Sequence, residues 1–256
     1  MSLNKKTLCA LVFIWLVLAA TPSYLLIKHQ QVFPWLDLSS LPAALLYFLT
    51  STGTAPYAVM SVISFLAISF IYVPKLIWTR LVFAVVLSVT ISFTLNHQLK
   101  SYFKEARPNA VFLSTQTQSP IDLESFYLQD PVMRSALITQ ALQQYQTSES
   151  SNTYQTTPPI SISPMIQDHW IGEVGYAFPS GHTIFAITLV LTASYYLLLS
   201  GATVLNVLLV TWGILMGGSR MLLGMHWPQD VLASTCLAAV ISLLSVLIVE
   251  KMRRSK

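Results

Sequence analysis

Gly218-Ser-Arg-Met-Leu-Leu-Gly-Met-His-Trp-Pro-Gln-Asp230 sets Arg220, His226 and Asp230 between two long apolar runs, Thr203–Gly218 and Val231–Val249. Runs of that length and composition read as membrane spans, and ionisable groups beside a span are costly to keep, so they mark a candidate site. Pro228 lacks a backbone donor and suits a first helical turn, which predicts a helix starting at about Trp227. His226 and Asp230 then stand four residues apart at its start, near one face, where a carboxylate can hold one imidazole nitrogen and leave the other free to act as nucleophile or base. Taken alone, the triplet is equally readable as a surface His–Asp pair.

Composition sets the fold class. Hydrophobic residues make up 54% of the 256 positions and charged residues 9%, against ~25% charged in an ordinary soluble domain. So little charge cannot cover a soluble surface, and the chain reads as an all-α integral membrane protein. The formal net charge of +4 is modest. Its basic residues gather near the ends, Lys5 and Lys6 at one and Lys251, Arg253, Arg254 and Lys256 at the other, which fits flanks of spans better than a nucleic-acid surface. Cys9 and Cys236 both lie in apolar runs, which supports neither a disulfide framework nor a thiolate metal site.

Six spans are predicted: Thr7–Ile27, retained rather than cleaved as a signal peptide, then Ala55–Val73, Leu76–Leu99, Thr183–Leu199, Thr203–Gly218 and Val231–Val249. Leu41–Leu49 is too short to cross and reads as an interfacial or re-entrant segment. The long polar section, about 100–182, falls between the third and fourth spans. Within it Asp130-Pro131 opens an amphipathic helix to about Tyr145, and Thr147–Pro159 reads as a flexible linker. The loop's charges, Glu149 and Asp168 among them, read as solvating groups, and His97 as an interfacial or packing residue. Lysine and arginine set the orientation: both termini inside puts Lys5, Lys6, Lys75, Arg80, Lys251, Arg253, Arg254 and Lys256 in the cytoplasm and only Lys28 and Arg220 in the short outer loops.

With that topology three polar clusters share the outer face. They are Lys100–Pro108 after the third span, Pro179–His182 before the fourth, and Ser219–Asp230 between the fifth and sixth. Lys100, Arg107 and Arg220 can neutralise a doubly charged anion, the guanidinium groups offering forks to phosphate oxygens. Ser180 and Gly181 open a helix whose unpaired N–H groups favour an anion, and Gly181 has no side chain to block its approach. His182 and His226 can divide acid and nucleophile roles. No acidic cluster suited to a divalent cation is expected beside them, and positive side chains take over its electrostatic task. Separately, the first cluster could be a basic patch for anionic head groups and the second a plain helix start.

Lys100 with Arg107-Pro108 (K-x6-RP), Pro179–His182 (PSGH) and Ser219–Asp230 (SR-x5-H-x3-D) together resemble the three-part signature of the type-2 phosphatidic acid phosphatase superfamily, the match residing in about residues 95–235. The resemblance implies one membrane-embedded phosphatase domain over 1–256 in a bacterial inner membrane, with residues 100–182 and the site facing the periplasm. His226 would attack phosphorus to form a phosphohistidine, Asp230 would orient it, and His182 would protonate the leaving oxygen. Lys100, Arg107, Ser180, Gly181 and Arg220 would hold the phosphate, with no metal or other cofactor. Phosphatidylglycerol phosphate, undecaprenyl pyrophosphate and phosphatidate are the expected lipid substrates, with no nucleic acid and no obligate protein partner. Outside that class stand a carrier binding anionic lipid phosphates without cleaving them, and a structural membrane protein with a patch for acidic lipids.

Overall fold

A computed structural model of the chain describes residues 5–116, 119–151 and 160–254. Among them lie eleven helices and a single isolated β-bridge, Leu38 to Ile162. The helices are α1 (Lys5–Ile27), α2 (Leu41–Ser51), α3 (Tyr57–Tyr72), α4 (Lys75–Phe103), α5 (Pro108–Ser114), α6 (Leu123–Phe126), α7 (Pro131–Ser151), α8 (Pro164–Gly172), α9 (Gly181–Leu199), α10 (Thr203–Leu222) and α11 (Pro228–Arg254). Helices dominate because apolar surroundings leave backbone donors and acceptors no water to bond, and a helix satisfies them within one segment.

α9 is the axis of the bundle. Every residue from Thr183 to Leu197 is buried, because α1, α4, α10 and α11 all pack around it. Its small and hydroxylated side chains let neighbours come close and tie to it. Thr192 donates to Ser88 Oγ of α4 at 3.1 Å, and Ser242 of α11 donates to the Thr188 carbonyl at 3.1 Å. A Cβ on Gly213 of α10 would stand 2.8 Å from Val190, so glycine there allows α10 to lie against α9. The outer helices turn apolar side chains such as Phe13, Ile63, Phe83 and Ile71 outward, as lipid-facing surfaces do.

Among the described residues five helices are long and apolar enough to cross a membrane: α1, α4, α9, α10 and α11. The remaining predicted span, 55–73, forms α3 with 16 residues, about 24 Å at 1.5 Å per residue. Several boundaries differ from the sequence reading. α4 runs to Phe103 and so carries Lys100 in its last turn, where Lys104 ends the helix at φ 50°. α10 runs to Leu222 rather than Gly218.

The section between α4 and α9 holds far more order than its polar sequence suggests. α5, α6, α7 and α8 pack over one end of the bundle around a second apolar core that includes Phe33, Leu113, Phe126, Ile138, Ile166, Trp170 and Met225. Asp130 accepts from the N–H groups of Val132 and Met133 at 2.8 and 3.0 Å, as expected of the residue before Pro131. α7 extends past Tyr145 to Ser151, so the first part of the predicted linker is helical, and 152–159 lies outside the described residues. α2 packs on α10 and α8. At the bundle's other end Arg80 at the start of α4 pairs with Glu250 near the end of α11 at 3.3 Å.

Candidate active site

The three clusters meet where α4 and α10 end and α9 and α11 begin. Backbone and indole bonds lock them together. Asn109 N–H donates to the Gly224 carbonyl at 2.8 Å, Trp227 Nε1 donates to the Ala106 carbonyl at 2.8 Å, and Ala177 N–H donates to the Glu105 carbonyl at 2.8 Å. Gly224 makes the turn possible, with φ +70° and Phe33 packed so close that a Cβ would meet its ring at 2.8 Å.

The start of α11 follows its sequence closely. Pro228 opens the helix, and Asp230 Oδ2 accepts from Trp227 N–H at 2.8 Å, the reciprocal bond of a helix cap. The same oxygen stands 3.3 Å from His226 Nδ1. His226 is 2% exposed. Burial first, then the cations Arg107, Arg220 and Lys100, hold its pKa well below the ordinary histidine range. A neutral imidazole that faces a carboxylate on Nδ1 keeps its proton there, which leaves a lone pair on Nε2.

Ser180 caps α9. Its hydroxyl accepts from Thr183 Oγ1 at 2.9 Å and from Thr183 N–H at 3.4 Å, while its own N–H donates to Ser234 Oγ at 2.9 Å. Those bonds anchor the helix start on α11, and the first-turn N–H groups of Gly181 and His182 have no acceptor within the helix. Gly181 packs tightly on α4, where a Cβ would lie 3.0 Å from Asn96 Nδ2 and press on that side chain. His182 Nε2 meets Thr54 Oγ1 at 2.8 Å.

The two guanidinium groups converge on one acid. Arg107 Nη1 and Arg220 Nη2 both donate to Oε2 of Glu173, at 2.9 and 2.7 Å. Arg107 Nε donates to the Gly175 carbonyl at 2.7 Å. Arg220, wholly buried, donates through Nη1 to Thr50 Oγ1 at 3.0 Å and lies 3.0 Å from His169 Nε2. Lys100 Nζ donates to the Tyr176 carbonyl at 2.8 Å. Burial works against the charged form of Glu173, but Arg220, His182, Arg107 and His169 outweigh it and hold the carboxyl well below its usual range. Burial, reinforced by Arg220, lowers His169 to about 4, so near neutral pH its ring is uncharged and can accept from the guanidinium.

All eight residues singled out from the sequence therefore border one region at one end of the bundle. The match to a known family spans that region. The model of the PAP2 superfamily matches residues 77–254. The chain belongs to the PAP2 superfamily. It is 35% identical over 204 residues to the phosphatidylglycerophosphatase B of Haemophilus influenzae, covering 77% of this chain and 78% of that protein. Likeness to the phosphatidylglycerophosphatase B of Escherichia coli K12 is 33% over 140 residues, 55% of this chain and 49% of the relative. An undecaprenyl-diphosphatase of Sulfolobus acidocaldarius is 38% identical over 75 residues, 28% of this chain and 32% of its own length.

Four further residues border the same region without a sequence signal that singles them out. Glu173 corrects the reading of the loop's charges as solvating groups, whereas Asp168 is exposed as expected. His169 lies one turn before Glu173. Thr50 and Thr54 come from the α2–α3 segment, which precedes the matched region. Trp212 Nε1 donates to Thr52 Oγ1 at 3.0 Å and pins that segment to α10.

Proposed function

We propose that the chain is a membrane-embedded lipid phosphate phosphatase working through a phosphohistidine on His226. One observation carries the reading: two guanidinium groups from different elements, Arg107 and Arg220, share a single anionic oxygen within a site whose buried His226 is held by Asp230. That is a receptor for an oxyanion beside a nucleophile. His226 Nε2 attacks phosphorus while Asp230 accepts the Nδ1–H bond and stabilises the cationic ring. The P–O bond to the lipid breaks as His182 gives that oxygen a proton. Neutral His182 then takes a proton from water, whose oxygen attacks the phosphohistidine, releasing inorganic phosphate and restoring His226. Lys100, Arg107 and Arg220 hold the phosphoryl oxygens with the first-turn N–H groups of Gly181 and His182, which the Ser180 cap sets in place, and the charge of the three cations takes the place that a metal ion has in other phosphoryl-transfer sites.

The names of the relatives favour phosphatidylglycerol phosphate and undecaprenyl diphosphate as substrates, with phosphatidate as a further lipid monoester. We place the whole chain in one domain with six spans, both termini cytoplasmic, and residues 100–182 and the site on the periplasmic side of a bacterial inner membrane. α3 supports the sixth crossing by connectivity. Thr54 is bonded to His182 at the site end, whereas α4 starts at the end where Arg80 meets Glu250 and reaches the site only at Lys100. The chain must return between the two ends, and α3 is the helix that does so, with the exposed apolar side chains Val59, Ile63, Ile68 and Ile71.

The test is phosphate release from a panel of lipid phosphates and pyrophosphates by purified protein in detergent, with quenching of a ³²P-labelled turnover. An acid-labile, base-stable labelled protein is the expected adduct. Binding without release or adduct would instead identify a carrier. EDTA is expected to leave turnover unchanged, because charge neutralisation rests on side chains; strong inhibition reversed by a divalent cation would overturn this.

Thr54 is a positioning residue in this mechanism, fixing the His182 ring from outside the matched region. Thr54→Val is expected to lower kcat by about tenfold, the usual scale for one lost orienting bond, with KM little changed. Thr54→Ser keeps the hydroxyl and is expected to restore the rate. Equal loss in both variants would show that Thr54 acts only through packing.

A further inference from the structure

Glu173 stands where the proposed mechanism requires the phosphate to bind. Its Oε2 takes one donor from each guanidinium, and its Oε1 lies 3.7 Å from His182 Nε2 and 3.9 Å from His169 Nε2. Two guanidinium donors on one oxygen, with two imidazoles close to the other, are surroundings suited to a bound phosphate, here filled by a side chain of the protein itself. The acid also stands at the more open edge. Its side chain is 21% exposed, against 5% for Arg107 and none for Arg220. It enters from the connection between α8 and α9 rather than from the helix ends that carry the arginines.

We propose that Glu173 is a specificity-determining residue, an internal anion that occupies the phosphate subsite of the empty enzyme and yields only to a phosphate group carrying more than one negative charge. The inference rests on the phosphatase reading above. A bilayer surrounds such a site with phosphodiester head groups, each bearing one charge. Exchanging one singly charged anion for another brings no electrostatic gain, and the tethered carboxylate has the advantage of a high effective concentration. A phosphate monoester or terminal diphosphate brings additional charge to the same two guanidinium groups, and charge-assisted bonds to both arginines strengthen with it. Glu173 thereby keeps the site clear of the lipids it is embedded in. It also gives the buried Arg220 a counter-ion until substrate arrives.

The test is equilibrium binding of ³²P-labelled inorganic phosphate to the detergent-purified chain, which needs no turnover, with phosphatidylglycerol in the micelle as the phosphodiester competitor. Glu173→Gln keeps the size and one acceptor and removes the charge. A clamp that Glu173 leaves free about a tenth of the time binds phosphate about tenfold more weakly than an open one, so the variant is expected to bind phosphate about tenfold more tightly. Phosphatidylglycerol is expected to displace phosphate from the variant and not from the parent protein. Unchanged or weaker phosphate binding in Glu173→Gln overturns the proposal, and so does tighter binding that phosphatidylglycerol still cannot compete. Should Glu173→Gln fail to fold, Glu173→Asp retracts the carboxylate from one guanidinium, and a smaller gain in affinity is expected; no gain overturns the proposal. If the parent protein binds phosphate but releases none from any lipid, the phosphatase reading fails while Glu173 remains under test.

Discussion

Replacing His226 with alanine is expected to lower kcat/KM by about four orders of magnitude or more, the scale on which removal of a covalent nucleophile acts. Trapping of ³²P on the protein should vanish with it. The fold should survive, for a reason visible at the start of α11. Asp230 accepts from Trp227 N–H through the same Oδ2 that faces His226, so the helix cap persists without the imidazole. His226 also sits in the short connection between α10 and α11, where Gly224 and the Asn109-to-Gly224 bond set the chain's path. An unchanged elution volume and melting temperature beside a lost rate would assign the effect to chemistry. A normal rate from the purified variant would end the phosphohistidine mechanism.

Arg220→Ala is expected to act on both activity and stability. Arg220 is wholly buried and joins three side chains, Glu173, Thr50 and His169, and through its carbonyl the N–H groups of Met225 and His226. Only the side-chain bonds disappear on truncation. They leave Thr50 and His169 without a donor and Glu173 with Arg107 alone, a loss of about 3 kcal/mol on the scale of broken buried ion pairs. Removal of a charged fork from the oxyanion site is expected to reduce kcat/KM by about a thousandfold. Arg220→Lys keeps the charge but cannot serve Glu173, Thr50 and His169 at once. It should therefore recover much of the stability and little of the rate. The measurement is thermal unfolding in detergent beside steady-state kinetics. If Arg220→Lys restored the rate to within a few-fold of the parent, the two-guanidinium clamp would not be the phosphate site.

Much of this site is readable along the chain because its parts are local. His226 and Asp230 are four apart with Pro228 between them, so the helix that brings them together is written within the same residues. Ser180 lies directly before α9 and Gly181 opens it, as a capping hydroxyl followed by a glycine predicts. Lys100, Arg107 and Arg220 stand out because any charge beside such apolar runs stands out.

Glu173, His169, Thr50 and Thr54 have no such signature. Thr54 is 128 positions from His182, and Thr50 is 170 from Arg220; neither interrupts an apolar pattern. Glu173 belongs to a polar section in which an acid is unremarkable until α5–α8 fold over the bundle end and carry it to the arginines. Composition and span pattern alone determined a helical membrane protein with its cations, histidines and aspartate collected at one end. Only the tertiary structure decided which carboxylate the two arginines hold, and which segments close over the histidines. Periodicity and capping act over a few residues, whereas a buried guanidinium takes whatever acceptor the folded chain brings to it.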